Sequence, residues 1–386
     1  MPPRVTARQG WRPALPVRAA GLCYYRNSMR LTMALLCVVF SAAFALTRPK
    51  EARSKDAPAL TAYFVDVEGG QATLIITPEG QSVLIDAGWA GNDSRDADRI
   101  AEAAKLAKIK RIDYFILTHY HADHVGGVRE LVEKIPIGTF IDHGPDREAV
   151  NETQKQLVQD YATAASAAGE HLVVKPGDVL PIKGVDVTVV SSDGNVLKKP
   201  LRSGGNVNTF CETTPDKPPD PSENARSLGT FWHFGRFHML DLGDLTWNKE
   251  KELMCPVDPF GKLDVFVVSH HGLDSSNSPA LVHDISPRVA IEDNGSGKGG
   301  AAATYNVLKT AQGLEDIWQL HYSEDGGREH NALDSNIANI GDDDSGYYLK
   351  LVAHEDGSFA VYNARNKYSR AYQAKYSIGS YKWETR

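Results

Sequence analysis

A cluster of metal-binding residue types is the strongest chemical signal in the sequence. Three histidines and one aspartate occur within six residues, at His119, His121, Asp123 and His124. They follow the apolar run DYFILT, which predicts a buried strand. A tight loop after that strand can point the first two histidines to one side and the last two residues to the other. Since imidazole and carboxylate groups are ligands that zinc prefers, this loop is predicted to bind two metal ions.

Two later segments end in further candidate ligands. The run FHMLDLGD predicts a strand that leads to Asp244, whose ionised carboxylate can bridge two cations. The run DVFVVSH predicts the next strand, and a second histidine follows it. One of His270 and His271 can complete the second metal site. His270 is favoured because it continues directly from the strand, and His271 stays the alternative.

An upstream aspartate could orient one of these ligands. Asp86 lies in the segment LIDAG at 84–88. Carboxylates commonly accept the second N–H of a metal-bound histidine and so fix its tautomer and ring orientation. A simple turn or helix cap is the alternative role for Asp86.

These residues lie among short apolar runs that alternate loosely with helical segments. Apolar runs rich in Val, Ile, Phe and Tyr predict strands; they are AYFVDV, ATLIIT, SVLIDAG, DYFILT, VDVTVV, SLGTFWHF, FHMLDLGD, DVFVVSH, RVAIED, GYYLKLVA and SFAVYNA. Composition and spacing predict helices over 97–109, over 147–168 and near 303–312. Hairpins at both ends favour an α+β fold of two mixed sheets with helices outside, rather than a doubly wound parallel sheet.

The first 45 residues (1–45) predict a leader for export. The apolar run LTMALLCVVFSAAFALT carries no charge, Arg30 precedes it, and Ala43-Phe44-Ala45 gives an A-x-A cleavage pattern. We interpret residues 29–45 as a secretory signal and residues 1–28 as an over-extended gene start. The expected location is secreted or periplasmic. An uncleaved signal that anchors the chain in a membrane is the alternative, because the run reaches the lower limit of about 17 residues for a span.

Residues 46–60 are a polar linker, and residues 61–386 are predicted to form one domain, with its core motifs at 62–300 and completing strands at 315–365. The chain has a formal net charge of −7, and the six arginines of residues 1–47 leave 36 basic and 49 acidic residues in the remainder. An acidic body does not attract phosphate backbones by its bulk charge. A role with nucleic acid would therefore depend on a local site, and no stable membrane span is expected once the leader is removed.

Cys211 and Cys255 are the two cysteines outside the leader, of four in the chain. They could pair in an oxidising compartment, and two unpaired thiols are the alternative, since sequence does not place them close together. Cys211 lies in a Pro- and Gly-rich stretch at 201–226. That composition predicts a long loop that shapes substrate access rather than the fold, or else a mobile surface insertion.

Taken together, these segments resemble the metallo-β-lactamase superfamily, whose hallmark is His-x-His-x-Asp-His. Within it, the chain is similar to the soluble domain of ComEC-type DNA-uptake proteins and their stand-alone relatives. The segments that carry this similarity are FVDVEGGQATLI, LIDAG, LTHYHADHVGG, the ENARSLG-to-GDL segment and VSHHG. The resemblance covers about residues 62–300. It implies a four-layer αββα sandwich with metals at the sheet edges.

The resemblance also implies a ligand set for two divalent metal ions. His119 and His121 would bind one metal, Asp123, His124 and His270 would bind the other, and Asp244 would bridge them. Zinc is the favoured metal and manganese is the alternative.

The chain departs from these relatives at two places. They usually carry Gly-Gln-Gly-Asp after the Asp66-Val67 pair, where this chain has Glu68-Gly69-Gly70-Gln71. Many superfamily members also have a mid-chain histidine, in a Pro-Gly-His-Thr context, as the third ligand of the first metal. The matching place here is Ser191-Ser192-Asp193-Gly194. Asp193 could substitute; otherwise the first site is expected to be weaker or more open to water.

The function implied is hydrolysis assisted by two metals. Two cations about 3.5–4 Å apart lower the pKa of a shared water towards about 7, and Asp123 or Asp244 could accept its proton. A phosphodiester is the favoured substrate, because two metals stabilise both the attacking and the leaving oxygen. β-Lactams, lactones and other esters are alternative substrates. Two alternatives belong to other classes: a non-catalytic metal-binding module in a surface or DNA-uptake assembly, and iron-based redox chemistry.

Overall fold

The computed structural model describes residues 58–148, 151–341 and 344–375. The predicted leader and nearly all of the predicted linker lie outside these residues. The first strand begins at Leu60, two residues before the predicted start.

One mixed sheet contains nine strands within the described residues. They are β1 (Leu60–Phe64), β2 (Thr73–Ile76), β3 (Ser82–Ile85), β4 (Ile112–Ile116), β5 (Ile137–Asp142), β6 (Glu170–Val173), β15 (Leu349–Ala353), β16 (Phe359–Asn363) and β17 (Ser369–Tyr372). Their order across the sheet is β17-β16-β15-β1-β2-β3-β4-β5-β6. The strands from β3 to β6 pair in parallel, and the others pair antiparallel.

A second mixed sheet contains eight strands of the described part of the chain. They are β7 (Asp186–Ser192), β8 (Asn195–Val196), β9 (Gly229–Phe234), β10 (Phe237–Asp241), β11 (Val265–Val267), β12 (Val289–Glu292), β13 (Asp316–His321) and β14 (Ile337–Asn339). Their order is β14-β13-β12-β11-β10-β9-β7-β8. The strands from β10 to β14 pair in parallel.

Helices connect the parallel strands of both sheets. Within the described ranges they are α1 (Arg95–Leu106), α2 (Ala122–Val125), α3 (Val128–Lys134), α4 (Glu152–Ala168), α5 (Trp247–Met254), α6 (Pro279–Ile285) and α7 (Ala302–Thr310). Local sequence sets their ends. The side chain of Asn151 caps α4 by accepting from the Gln154 N–H, and Gly169 ends α4 in the left-handed region with φ 87°.

The apolar residues are arranged in three layers, which makes the fold a sandwich. Between the two sheets, Phe64 packs in the same buried cluster as Trp232. Outside the first sheet, Phe115 shares a cluster with Leu131 of α3. Outside the second, residues of α5, α6 and α7 cover the sheet, as Leu281 does. Two mixed sheets with helices on both outer faces confirm the predicted α+β fold of αββα layers.

The stretch at 201–226 is anchored to the second half of the chain. Asn208 is buried, and its Nδ2 donates to the carbonyl oxygens of Met254 at 3.2 Å and Ala280 at 2.8 Å. Cys211 forms a disulfide with Cys255, with Cα atoms 5.8 Å apart. These anchors tie the stretch to the fold, and its predicted role in substrate access stays a prediction. Its buried anchors are polar side chains, which an apolar pattern does not reveal.

Among the residues that the structure describes, no helix combines the length and the apolar character needed to cross a membrane.

Candidate metal centre

The candidate centre is built where strands of both sheets end. His119 comes three residues after the end of β4, His121 directly precedes α2, and α2 carries Asp123 and His124. Gly127 follows, where a Cβ atom would lie 2.1 Å from the carbonyl oxygen of Ala87. Glycine alone allows so close an approach of two backbone segments. The ligand loop is therefore held against the segment that contains Asp86.

Four buried side chains lie within ligand distance of one another. They are Asp123, His124, Asp244 and His271, each with one nitrogen or oxygen within 4.8 Å of the others. Asp123 Oδ2 is 3.4 Å from His124 Nε2 and 3.2 Å from His271 Nε2. Asp244 Oδ2 is 3.3 Å from His124 Nε2, and Asp244 Oδ1 is 3.5 Å from His271 Nε2. Two imidazoles and two carboxylates can hold one divalent cation in this arrangement.

His271, rather than His270, joins this group. The preference for His270 assumed that the strand continues to it, whereas β11 ends at Val267. Ser269–Gly272 forms a 3₁₀ turn in which both histidines have positive φ, 55° and 54°. This left-handed backbone breaks the alternation of an extended strand. It turns His271 into the group of four and leaves His270 beside it.

Two further imidazoles face the carboxylate of Asp244. Asp244 Oδ2 is 3.8 Å from His119 Nε2 and 3.4 Å from His270 Nε2. His121 contacts His119 edge-on, with ring centroids 4.7 Å apart. Its Nε2 lies 3.0 Å from Glu148 Oε2, which leaves Nδ1 as its free ring nitrogen. His119 and His270 thus face Asp244 Oδ2 directly, and His121 is placed by its contacts with His119 and Glu148.

Asp193 is held away from this chemistry by two arginines. Its carboxylate accepts from Arg147 Nη2 at 2.9 Å and from Arg226 Nη1 at 3.1 Å. Because two guanidinium groups already satisfy it, the expectation that Asp193 replaces the missing mid-chain histidine is corrected. His270 is the residue that the structure brings next to Asp244 instead.

Several buried atoms of the cluster have no hydrogen bond of their own. His119 Nε2, His124 Nε2 and Asp244 Oδ1 have no hydrogen-bond partner among the described residues. Buried polar atoms in folded proteins nearly always have one, and exceptions point to an ion, a water or a functional role. Nitrogen and carboxylate oxygen donors suit zinc. The residues present therefore fit a pair of divalent cations.

The charges of the cluster also favour metal binding. Burial raises the pKa of Asp123 and of Asp244, but the neighbouring histidines lower it by more, so that both pKa values lie well below the ordinary range. Burial and the charge of His124 lower the pKa of His119 well below its ordinary value. The carboxylates are therefore ionised and His119 is neutral. Burial lowers the pKa of His124 and of His271, but the neighbouring carboxylates raise it by more, well above the ordinary value. A cation bound to these two rings would displace their protons, since a ligand imidazole must be neutral.

Carboxylates lie behind two imidazoles of the cluster. Asp86 is hydrogen-bonded to one of them, whereas Asp293 Oδ1 and His271 Nδ1 have no hydrogen-bond partner among the described residues. Asp86 Oδ2 lies 2.7 Å from His124 Nδ1, and Asp86 Oδ1 accepts from the backbone N–H of Thr118 at 2.8 Å. Asp293, at the end of β12, places Oδ1 3.4 Å from His271 Nδ1. In each case the Nε2 atom of the ring is directed at the cluster, which is the arrangement expected behind a metal-bound histidine.

Gln71 stands where the relatives carry an aspartate. Its Nε2 donates to Asp241 Oδ2 at 2.8 Å, and both residues are buried. Two facing carboxylates would repel each other at this depth, whereas an amide donor satisfies the one that is present. The chain therefore differs from its relatives in the Glu68–Gln71 segment without a loss of pairing, because Gln71 and Asp241 form a hydrogen-bonded pair near the cluster.

Besides Asp293, three residues near the cluster were not predicted from the sequence. Glu148 contacts His121, as described above. The Nδ2 of Asn224 lies 3.3 Å from His270 Nε2. The Nζ of Lys298 contacts Asp123 Oδ2. The position of Lys298 in the Gly-rich run NGSGKGG, directly after a strand, was the signal that could have revealed it.

A second group of metal-binding residue types lies near the first strand. Asp66, Glu68 and His321 place ligand atoms within 4.8 Å of one another. His321 Nε2 is 2.7 Å from Asp66 Oδ1, and Arg99 Nη1 is 3.1 Å from Asp66 Oδ2. Since a guanidinium already supplies positive charge there, this group is an ion-pair network rather than an open cation site.

Comparison with known proteins agrees with this geometry. Residues 65–197 match the family model described as the metallo-beta-lactamase superfamily. ComE operon protein 3 of Bacillus subtilis is 29% identical over 183 residues, which cover 47% of this chain and 20% of that protein. Recombination protein 2 of Haemophilus influenzae is 24% identical over 251 residues, or 64% of this chain and 25% of that protein. The chain thus matches a quarter or less of the length of these relatives.

Solved structures with this fold are more distant. CmlA, a diiron β-hydroxylase from Streptomyces venezuelae, is 15% identical with a TM-score of 0.35, over 66% of this chain and 50% of that chain. The Rm3 metallo-β-lactamase is 14% identical with a TM-score of 0.34, over 55% of this chain and 75% of that chain. The family model and the two curated relatives confirm the resemblance predicted from the sequence.

Proposed function

Because the chain carries a metallo-β-lactamase domain and is related to ComEC-type proteins, we propose that it is an exported two-metal hydrolase that cleaves phosphodiesters. One observation carries the proposal. His119 Nε2, His124 Nε2 and Asp244 Oδ1 are buried at one point without hydrogen-bond partners in the described residues. Cations at that point would satisfy all three atoms.

The contacts suggest which residues hold each cation. Asp123, His124 and His271 would hold one, on the evidence of their mutual distances. The other would be held by His119, His121 and, in place of the absent mid-chain histidine, His270. Asp244 lies between the two sets and would bridge them. When bound, two zinc or manganese ions supply Lewis acidity and lower the pKa of a water.

The protein's own carboxylates act as ligands in this proposal. Asp123 and Asp244 were the expected proton acceptors. Each carboxylate faces the Nε2 atoms of both His124 and His271. We therefore assign both carboxylates to holding cations, with Asp86 fixing the imidazole of His124.

A phosphodiester is favoured by the chemistry of a two-cation site and by the ComEC-type relatives. Two cations stabilise the entering and the leaving oxygen of a phosphoryl group together. The acidic body gives no bulk attraction for a long nucleic acid. A small phosphodiester, or a short nucleic-acid end that reaches the site, is therefore the proposed substrate.

Export is supported by the leader pattern and by the cysteines. Cys211 and Cys255 are paired in the structure. Disulfides persist mainly in oxidising compartments such as the periplasm and the cell exterior.

The test is metal-dependent cleavage of bis-p-nitrophenyl phosphate by the full chain. The purified protein should bind close to two equivalents of zinc, lose activity with a chelator and regain it with added zinc. Asp244→Ala should empty both sites and lower kcat/KM at least about 100-fold. His271→Ala should lose one equivalent only.

Asp186→Ala is the matched control, because Asp186 lies at an exposed strand end, with a side chain 76% exposed, and should keep metal and activity. Full metal content in Asp244→Ala would refute the bridging role. Cleavage of a β-lactam, lactone or carboxylic ester, but of no phosphodiester, would change the substrate class. Two bound metals with no cleavage of any of these would favour a non-catalytic metal-binding module.

A further inference from the structure

Lys298 is placed beside the metal centre by the backbone of its loop. The loop at 294–300 joins β12 to α7. Gly300 N donates to the carbonyl oxygen of His271 at 2.9 Å, and Gly295 N donates to that of Lys298 at 2.8 Å. A Cβ at Gly299 would lie 2.0 Å from the same His271 oxygen. The loop is therefore packed directly on the turn that presents His271.

The side chain of Lys298 has few partners for its charge. Its Nζ contacts Asp123 Oδ2 and lies 4.9 Å from the centroid of the Trp89 ring. The side chain is 31% exposed, so that solvent reaches part of it. The backbone of Trp89 is itself fixed, because its N–H donates to Asp96 Oδ2 at 2.8 Å.

The contact with Asp123 is the one that bound cations would weaken. Asp123 Oδ2 also faces His124 and His271, and the proposed function makes it a metal ligand. A cation on that oxygen would share its negative charge and repel the nearby ammonium. Lys298 would then need another anion, and the solvent side is the direction from which one can arrive.

We propose that Lys298 is a binding residue for an anionic oxygen of the substrate, a phosphate oxygen in a phosphodiester. This inference rests on the proposed function and deepens it: the preferred substrate carries a negative charge next to the bond that is cleaved. A lysine ammonium suits this role because it binds phosphate as a compact point charge with three donors.

The test compares Lys298→Met with Lys298→Gln, Lys298→Arg and the wild type, all zinc-loaded. Calorimetric titration with inorganic phosphate needs no turnover, and the Met and Gln variants should bind phosphate about 10- to 100-fold more weakly. The Arg variant should restore much of the binding. Zinc content should not fall in any of them. Lys350→Met is the matched control, because Lys350 also lies over an aromatic ring, that of Tyr63, at 5.0 Å.

Enzyme kinetics then distinguish the loss of the Lys298 charge from a general disturbance of the fold. For the anionic diester bis-p-nitrophenyl phosphate, KM should rise about 10-fold or more in Lys298→Met, with a smaller change in kcat. For a neutral triester with the same leaving group, diethyl p-nitrophenyl phosphate, KM should stay unchanged. Equal effects on both substrates, or unchanged phosphate affinity in Lys298→Met, would overturn the assignment. If the wild type binds zinc but cleaves nothing, the proposed function fails, and the phosphate titration still decides the role of Lys298.

Discussion

Asp241 is a buried carboxylate near the cluster. Among the described residues, no cationic side chain pairs with it. Its Oδ2 accepts from Gln71, and its Oδ1 accepts from the backbone N–H of Gly243 at 3.0 Å. Burial raises the pKa of Asp241 to about 7, although these two hydrogen bonds lower it. The folded protein therefore holds a proton at Asp241 more tightly than the unfolded chain does.

We expect Asp241→Asn to stabilise the metal-free protein at pH 8. A folded pKa above the unfolded value means that stability is complete below about pH 4, falls as pH rises towards 7, and is constant above. At about 1.36 kcal/mol per pKa unit, the wild type loses at most roughly 4 kcal/mol over that interval. Urea unfolding at pH 5 and pH 8, with chelator present, should show a gain of about 1–4 kcal/mol for the variant at pH 8 and a smaller one at pH 5.

The comparison of the two pH values isolates this carboxyl group, since the other titrating groups are common to both proteins. Asp186→Asn, at an exposed position, should leave the pH dependence of stability unchanged. A variant less stable than the wild type at pH 8 would show that the hydrogen bond from Gly243 requires an ionised acceptor.

At the residue scale, residue types and spacing were enough to predict candidate ligands. They did not predict the positions that depend on local backbone conformation. The His-x-His-x-Asp-His spacing is enough to nominate four side chains for one turn after a strand. The choice between His270 and His271 depended on a left-handed turn, with φ of 55° and 54°, that no residue type announces. Asp193 was nominated by position along the chain, and its two arginine partners come from segments distant in sequence.

At the scale of elements, the disulfide ties the 201–226 stretch to the end of α5. It joins Cys211 to Cys255, 44 residues apart in sequence. The far end of the same stretch forms the short 3₁₀ segment Glu223–Arg226, whose Asn224 lies against His270. The stretch thus has one end fixed to a helix and the other at the metal centre.

We expect the double variant Cys211→Ser with Cys255→Ser to lose stability and keep its metals. Removing a crosslink that closes a loop of this length costs roughly 2–4 kcal/mol, chiefly through the entropy of the unfolded chain. Asn208 and the Glu223–Arg226 segment keep their own hydrogen bonds, so that the centre should remain assembled. Urea unfolding gives the stability, and metal analysis with phosphodiester turnover gives the state of the site.

Wild-type protein under reducing conditions should match the double variant, which controls for the serine side chains. If the double variant also loses zinc, the disulfide positions the centre as well as the stretch, and Asn224 becomes the residue to examine.

Strands were predicted well because their apolar runs are continuous, and boundary errors were small, as at Leu60. The helices α5 and α6 were not predicted, since both are short and flanked by loop-like sequence. The strands β8, β14 and β17 were also missed; the first two have two and three residues, and the third lies beyond the predicted completing strands at 315–365. Short edge elements depend on tertiary pairing that local pattern does not contain.

At the scale of the whole molecule, the fold brings remote segments to one place by a simple rule. The strands β4, β10, β11 and β12 belong to parallel runs, and the segments after their carboxyl ends supply all of the proposed ligands and Lys298. Parallel strands end at the same edge of a sheet. Two sheets packed face to face then bring two such edges together. This is why order along the chain and residue type were enough to predict which segments meet at the candidate metal centre.

Export of the chain can be tested at the predicted cleavage site of its leader. The signal at 29–45 lies outside the described residues, and its A-x-A pattern predicts cleavage after Ala45. Intact mass of periplasmic or secreted material should correspond to a chain that starts at or near Leu46. A bulky residue at the cleavage position, as in Ala45→Phe, should leave the signal attached and the chain associated with the membrane fraction, since cleavage requires small residues.

The cysteines give an independent readout of the same event. Two of the four lie in the leader, at Cys23 and Cys37, and the other two are paired in the structure. Cleaved and oxidised protein should therefore contain no free thiol, whereas any chain that keeps the signal retains at least Cys37. Thiol labelling under denaturing, non-reducing conditions should find none in the exported wild type and at least one in Ala45→Phe. Full-length wild type in the cytosol, with Cys211 and Cys255 both open to labelling, would contradict export and would leave the chain in a compartment where this disulfide does not form.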